Sequence, residues 1–158
     1  MKLKIKWKEL IICIAIPLAV GGLSALLTRN SMEQFSQLNQ PPLSPPSWLF
    51  PVVWTILYTL MGIASYLVLT SEENSGQVRR ALTLYGVQLA VNFVWPLLFF
   101  RLEVFLIAFG WLVLLWVLIW STRTAFSRIS KAAGYLLIPY LLWVSFAGYL
   151  NLGVAILN

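Results

Sequence analysis

The chain has 158 residues, of which 60% are hydrophobic and 10% charged, and its formal net charge is +6. Soluble domains average ~45–50% apolar and ~25% charged residues, so this composition excludes a soluble globular protein and predicts a membrane protein. The sequence has no histidine and one cysteine, Cys13, which excludes an intrachain disulfide and leads us to expect no metal site.

Five stretches of the sequence are long and apolar enough to cross a bilayer, which requires ~20 residues at ~1.5 Å rise each. They cover approximately residues 9–28, 48–70, 80–100, 103–122 and 132–156, and their interiors carry no charge. The predicted fold is an all-α membrane protein, a bundle of five transmembrane helices in a single domain, residues 1–158. The first apolar run is longer than the ~7–15 residues of a signal-peptide core, so we do not expect cleavage.

The basic residues are distributed unequally between the two ends of this predicted bundle. Nine of the 11 lysines and arginines precede the first span or lie in the second and fourth connections, and the other two are Arg29 and Arg101. The fourth connection is predicted to contain Arg123, Arg128 and Lys131. The positive-inside rule places the N-terminus in the cytoplasm and the C-terminus outside, and no transit peptide is apparent, so we expect a bacterial inner membrane. Anionic lipid headgroups account for the net charge, and no nucleic-acid partner is expected.

The first connection, residues 29–47, is the longest and ends in a proline-rich segment. Proline fixes φ and disfavours helix in the residue before it, so this segment should be stiff and extended. We predict that it forms a lid over the bundle, although a loop merely anchored at the membrane surface is the alternative. The preceding "SMEQFSQL" has apolar residues three apart, which predicts a short interfacial helix. The residues concerned are Met32, Phe35, Leu38, Pro41, Pro42, Pro45 and Pro46.

Three amide side chains lie at membrane depth, where each costs free energy unless it has a partner. Gln88 and Asn92 are four residues apart and share one helical face with Trp95, and Asn151 lies near the end of the fifth span. Two interpretations remain open. The amides either hydrogen-bond between helices and fix the bundle, or they line a ligand pocket.

The sequence contains eight Trp, nine Phe and six Tyr. Trp7, Trp48 and Trp120 fall near predicted span ends, as expected for indoles at headgroup level. A buried indole N–H requires an acceptor, so several of the deeper tryptophans should face the bundle interior, either as close-packed core or as flat surfaces for a large planar ligand. The deeper tryptophans are Trp54, Trp95, Trp111, Trp116 and Trp143.

Three separated blocks carry a family resemblance that covers nearly the whole chain. The blocks "PPLSPPSWLFPVVWTILYTLMGIASYLV", "LYGVQLAVNFVWPLLFF" and "LLIPYLLWVSFAGYLN" resemble the signatures of the TspO/MBR family, the tryptophan-rich sensory and translocator proteins, also known as peripheral-type benzodiazepine receptors. The resemblance implies five transmembrane helices, frequent dimerisation, and a pocket below the first loop. It also implies binding of porphyrins such as protoporphyrin IX, and in some members of sterols and synthetic isoquinoline or benzodiazepine ligands.

Carried over position by position, the resemblance implies that Trp54 and Trp143 are associated with porphyrin binding or breakdown. Motif positions also include Pro45, Pro46 and Pro139. The full set of expected ligand-binding residues is Trp54, Tyr58, Gln88, Asn92, Trp95, Trp143, Ala147, Leu150 and Asn151, with Tyr140 on a further motif position. The expected lid residues are Phe35, Leu38, Pro41, Pro45 and Pro46.

The sequence departs from the family pattern in the first connection and in the fifth span. The usual Trp-Tyr pair reads Gln34-Phe35, and the usual lysine before the proline reads Gln40. A neutral Gln40 should weaken a contact with a porphyrin propionate. The tyrosine and the basic residue of the cholesterol motif are replaced by Leu152 and Ile156, so sterol recognition is not expected here.

Three functions remain open from the sequence. The first is a tetrapyrrole-binding membrane protein that senses or transports porphyrin, without any required cofactor. The second is light- or oxygen-dependent porphyrin degradation through Trp54 and Trp143, since the expected pocket lacks His, Asp, Glu and Lys for acid–base or nucleophilic catalysis. The third is a structural or regulatory membrane partner. Gly86 and Ala90 form a small-xxx-small pattern that fits either packing within the bundle or a homodimer through the third span.

Overall fold

A computed structural model describes residues 4–158, except for the side chains of Met32 and Gln34. The predictions that concern Lys2 and the side chain of Gln34 therefore lie outside the described residues. A 3-10 turn, Arg29–Ser31, joins α1 to α2, and a π-helical turn, Leu97–Arg101, continues α4. The helices are α1 (Trp7–Thr28), α2 (Met32–Ser36), α3 (Leu49–Leu69), α4 (Ser75–Pro96), α5 (Phe105–Ile129), α6 (Lys131–Leu136) and α7 (Ile138–Leu157).

Residues 4–158 contain five helical segments that are long and apolar enough to cross a membrane, and no strand. The segments are α1, α3, α4 with its π-helical turn, α5, and α6 together with α7. Large apolar side chains cover their outer faces, including Ile11, Ile107 and Leu142, each more than 60% exposed. Helices satisfy their backbone hydrogen bonds internally, as a hydrocarbon environment requires. The prediction of an all-α bundle with five membrane-spanning helices is confirmed.

The fourth connection is much shorter than the sequence predicts. We expected the fourth span to end near residue 122, but α5 continues to Ile129, so Arg123 and Arg128 lie within the helix. Charged residues ended the apolar pattern without ending the helix. Ser130 alone separates α5 from α6, with an extended backbone, and its hydroxyl oxygen accepts a hydrogen bond from the Ala133 N–H at 3.3 Å. It acts as the N-cap of α6.

Two further helix boundaries also differ from the prediction. The third span begins at Ser75 and not near residue 80, because the Asn74 side chain accepts a hydrogen bond from the Gly76 N–H at 2.8 Å and caps the helix. The fifth span is interrupted at Leu137. Pro139, just inside α7, has no N–H to donate to the preceding turn, which favours a new helix start at this point.

The first connection forms the predicted short helix, α2, and then folds onto the end of α7. Two reciprocal hydrogen bonds join Asn39 and Asn158: the Asn39 N–H donates to Asn158 Oδ1 at 3.1 Å, and Asn158 Nδ2 donates to the Asn39 carbonyl at 2.8 Å. The Tyr149 hydroxyl donates to the carbonyl of Pro42. A turn interrupts the proline-rich segment, where we expected extended chain, and Leu43 adopts a φ of 71°. That this connection acts as a lid stays a prediction.

Candidate functional site

A chain of buried hydrogen bonds joins α3, α4 and α7 in the middle of the bundle. The Tyr58 hydroxyl donates to Asn92 Oδ1 at 2.8 Å, and Asn92 Nδ2 donates to the Tyr140 hydroxyl oxygen at 2.6 Å. The Tyr140 hydroxyl in turn donates to Gln88 Oε1 at 2.7 Å. All four side chains are at least 92% buried. This arrangement matches the first of the two interpretations of the amides, hydrogen bonding between helices.

A second buried group ties α4, α5 and α7 together. Trp95 Nε1 donates to Asn151 Oδ1 at 3.0 Å, and Asn151 Nδ2 donates to the Phe105 carbonyl at 2.8 Å. The indole N–H of Trp111 also finds an acceptor, the carbonyl of Val91, at 2.8 Å. Asn92 and Asn151 therefore each use one oxygen lone pair and one N–H on protein partners, which fixes the orientation of both amides.

Next to these groups lies a cavity of about 290 Å³. The ends of α1, α3, α4 and α7 surround it, together with the first connection and the π-helical turn. Eight of the nine predicted ligand-binding residues line it: Trp54, Tyr58, Asn92, Trp95, Trp143, Ala147, Leu150 and Asn151. The ninth, Gln88, is 1% exposed and lies one helical turn below Asn92, outside the cavity wall. Gln88 is connected to the cavity wall through Tyr140 and then Asn92, by the hydrogen bonds described above.

Among the five predicted lid residues, Phe35 lines the cavity. Its ring packs against Phe99 and Phe100 of the π-helical turn, with ring centroids 5.6 and 5.0 Å apart. The other four do not line the cavity and contribute to the loop itself; Pro41, for example, packs so closely on Gly153 that a Cβ there would lie 2.5 Å from the proline Cγ. The remaining three are Leu38, Pro45 and Pro46.

Eight aromatic residues line the cavity. Trp54 stacks on Tyr58 with ring centroids 5.5 Å apart and an interplanar angle of 29°. Trp95 stacks on Phe99 at 5.1 Å and 22°. Across the cavity, Trp143 meets the ring of Phe50 edge-on at 5.9 Å. These flat, polarizable surfaces suit a planar apolar ligand, which binds by burial and ring stacking.

The indole N–H of Trp143 is buried and has no hydrogen-bond partner. An unsatisfied buried donor costs about 1–3 kcal/mol, because it has lost its hydrogen bond to water. The side chain of Trp143 is partly buried and lines the cavity. A ligand acceptor that reached this N–H would recover the cost.

The structure adds cavity residues that the sequence analysis missed. One helical face of α1 contributes Gly21, Ser24, Ala25 and Thr28, and Arg29 follows at the end of that helix. The spacing of these small residues, three or four apart, is a helical-face pattern that was visible in the sequence but lacked a known partner. Pro96, at the end of α4, and Phe99 and Phe100 of the π-helical turn also line the cavity.

The described wall of the cavity contains no His, Cys, Asp, Glu or Lys. Nor do the described residues include any group of three or more His, Cys, Asp or Glu side chains that would hold a metal ion. The hydroxyl groups in the wall, such as those of Ser24 and Tyr58, therefore have no His, Asp, Glu or Lys in this wall to activate them. The wall offers mainly apolar surface, aromatic faces, a few neutral polar groups and a single guanidinium.

The predicted small-residue pair of α4 lies elsewhere, on the outer face of the bundle. Gly86 and Ala90 are both exposed, and a Cβ added to Gly86 would meet no heavy atom within 4 Å. Packing against a neighbouring helix of the same bundle, one of the two interpretations left open by the sequence, does not involve Gly86. A homodimer through this face stays a prediction.

Comparison with known proteins gives consistent matches over almost the whole chain. A sequence profile of the TspO/MBR family matches residues 13–157. "Tryptophan-rich protein TspO" from Chlorobaculum tepidum is 41% identical over 150 residues, which cover 94% of this chain and 95% of the relative. "Tryptophan-rich sensory protein" from Cereibacter sphaeroides is 38% identical, covering 80% and 77%. "Translocator protein" from Bos taurus is 37% identical, covering 86% and 82%.

Proposed function

Because the chain belongs to the TspO/MBR family, we propose that this integral membrane protein binds a planar tetrapyrrole, such as protoporphyrin IX, in the cavity beneath its first connection. The observation that carries the proposal is the cavity wall itself. Trp54, Trp95 and Trp143 come from three different helices and line one apolar cavity. An apolar macrocycle gains free energy from burial and from stacking on such rings.

The size of the cavity sets a condition on this binding. Small-molecule sites are usually ~300–1,000 Å³, and this cavity of about 290 Å³ lies at the lower end of that range. A porphyrin is a large ligand for such a cavity. We infer that the macrocycle enters fully only when the first connection moves, or that it binds with one edge outside the cavity. This supports the lid hypothesis for the segment that includes Phe35 and Pro41.

We place the protein in a bacterial inner membrane with its N-terminus in the cytoplasm, which puts the cavity at the outer end of the bundle. The unequal distribution of lysine and arginine supports this orientation. Two of the relatives are named "Tryptophan-rich sensory protein" and "Translocator protein". On that basis we infer that this protein senses or moves the bound pigment. The exposed Gly86 and Ala90 fit a homodimer through α4, which symmetric disulfide cross-linking of Gly86→Cys in membranes would detect.

Light- or oxygen-dependent degradation of the bound pigment is the second candidate function. It is favoured by one observation: two half-buried tryptophans, Trp54 and Trp143, line the cavity that we assign to the pigment. Because the described cavity wall has no His, Cys, Asp, Glu or Lys, we expect any such chemistry to depend on the pigment and an indole. A purely structural or regulatory role remains the outcome if no pigment binds.

The test is a titration of the purified protein with protoporphyrin IX, in the dark and then under light. Saturable tryptophan quenching that Trp54→Phe and Trp143→Phe weaken supports the cavity as the binding site. The matched control is Trp120→Phe, since Trp120 is 48% exposed on the outer face of α5. Light-driven loss of pigment absorbance that requires Trp54 or Trp143, with binding retained, supports degradation. Absence of saturable binding contradicts the proposed function.

A further inference from the structure

Arg29 is the only charged residue that the described residues contribute to the cavity wall. It follows α1 directly, in the 3-10 turn that begins the first connection, and it is exposed. The neutral Gln40 of the same connection also lines the cavity. The cavity therefore has an apolar, aromatic interior and a cationic mouth.

The described interior of the cavity offers an anionic group no cation. The side chains of Asn92 and Asn151 already hydrogen-bond with Tyr58, Tyr140, Trp95 and the Phe105 carbonyl, and the donors that remain, including the Trp143 N–H, are neutral. A carboxylate placed among these groups would lose its hydration without finding a cation, which is strongly unfavourable. An amphipathic acid must therefore bind with its apolar part inside and its carboxylate at the mouth, where Arg29 lies.

We propose that Arg29 pairs with a carboxylate of the bound ligand and makes the cavity selective for planar apolar acids over their neutral analogues. The proposal rests on the function proposed above and names the part of the ligand that the mouth recognises. A guanidinium matches a carboxylate with two parallel hydrogen bonds, whereas the amide of Gln40 offers only a neutral contact. Arg29 would thus supply the charge that Gln40 lacks.

A competing explanation for Arg29 is purely structural. A cation near the C-terminus of a helix interacts favourably with the helix dipole, and Arg29 immediately follows α1. That role would make the residue matter equally for every ligand, through the stability of α1. Selectivity between a charged ligand and its neutral analogue separates the two explanations.

The experiment compares protoporphyrin IX with its dimethyl ester, which keeps the macrocycle but removes both negative charges. Affinities are measured by fluorescence in nanodiscs of zwitterionic lipid, so partition into lipid is common to all variants. We expect the wild-type protein to bind the acid about fivefold to tenfold more tightly than the ester. Arg29→Gln should remove this preference by weakening the acid alone, and Arg29→Lys should retain part of it. Arg101→Gln, at the same end of the bundle but outside the cavity wall, should keep the full preference.

A preference for the acid that persists in Arg29→Gln, or an equal loss of affinity for acid and ester, would overturn the proposal. If neither porphyrin binds the wild-type protein, that measurement alone overturns the tetrapyrrole function, whatever the variants do. A second pair of probes, pyrenebutyrate and its methyl ester, then tests Arg29 independently of the macrocycle. Loss of the preference for pyrenebutyrate in Arg29→Gln supports selectivity for planar acids, and an unchanged preference contradicts it.

Discussion

The two halves of the bundle, divided near the middle of α3, contain similar side chains but differ in packing. The filled half is closely packed, and the hollow half contains the cavity. Around the second half of α3, Met61, Ala64 and Val68 are 0% exposed, and Phe126 of α5 packs into the same core without any exposed surface. Around the first half of α3, Trp54 is only half-buried and faces the cavity. Apolar composition alone therefore does not determine whether a helical bundle is filled or hollow.

The difference lies in what each small residue faces. In the filled half, Gly62 faces backbone: a Cβ there would lie 2.5 Å from the Cα of Ile14, so α1 and α3 are in direct contact. In the hollow half, Gly21 faces the ring of Tyr58, and the neighbouring Ser24 and Ala25 line the cavity. A backbone-to-backbone contact closes the space between helices, whereas a small residue opposite a ring leaves the helices apart.

The largest loss of unfolding free energy is expected from a substitution in the filled half. Gly62→Ala places a Cβ 2.5 Å from Ile14 Cα and 2.7 Å from the Cys13 carbonyl oxygen, and backbone atoms cannot rotate away. We expect the free energy of unfolding to fall by about 3 kcal/mol, or the protein not to fold. Thermal unfolding in detergent measures this. Gly110→Ala is the control, since nothing lies within 4 Å of its added Cβ, and an equal loss in both variants would contradict the comparison.

Breaking the hydrogen-bond chain at the boundary between the two halves should have the next largest effect. Asn92→Leu leaves the hydroxyls of Tyr58 and Tyr140 without this partner, at a cost of about 2 kcal/mol in unfolding free energy. Tyr140→Phe interrupts the same chain, so the double variant should lose less than the two single losses added together. Additive losses would show that the chain does not act as a unit. Asn30→Ala, at an exposed position, serves as the neutral control.

Much of this comparison was predictable from the sequence, because hydrophobic length and helical spacing are local properties. They gave the five spans and the shared face of Gln88 and Asn92, whereas the choice of Trp54, Trp95 and Trp143 as site residues came from the family resemblance. Helix ends were less predictable. Arg123 and Arg128 interrupt the apolar pattern but not α5, and the hydrogen bond that starts α6 depends on a single serine, Ser130.

Pairing between distant residues was not predictable. The sequence shows Asn92 and Tyr140 as separate polar residues, 48 positions apart, and only the fold brings them within 2.6 Å. Arg29 seemed to be an ordinary charge flanking a span, because its place at the cavity mouth depends on how the first connection folds back onto α7. Gln88 carried the same signal as Asn92, yet one helical turn places it outside the cavity wall.

A substitution that fills the hollow half should change binding more than stability. Ala147 lines the cavity and is 6% exposed, so the extra atoms of Ala147→Leu would enter space that the ligand needs. We expect affinity for protoporphyrin IX to fall at least about tenfold, with a change in unfolding free energy below about 1.5 kcal/mol. The titration and thermal unfolding are run on the same preparation. Ala132→Leu, at an exposed site outside the cavity, should leave the affinity unchanged; a similar loss there would contradict a local steric cause.

The contact between the first connection and α7 should contribute least to the free energy of unfolding. It should have the clearest effect on the rates of ligand association and dissociation. Asn158→Ala removes two hydrogen bonds to Asn39 that lie at the exposed surface, where water replaces them at little cost. Stability should therefore change by less than about 0.5 kcal/mol.

If the connection must move before a macrocycle enters the cavity, loosening it should raise both the association and the dissociation rate of protoporphyrin IX. The equilibrium affinity should change much less, because both rates pass through the same opening step. Tyr149→Phe, which removes the hydrogen bond to the Pro42 carbonyl, should act in the same direction, and Ser36→Ala should change neither rate. Stopped-flow fluorescence measures both rates, and unchanged rates in Asn158→Ala and Tyr149→Phe would mean that the ligand enters by another route.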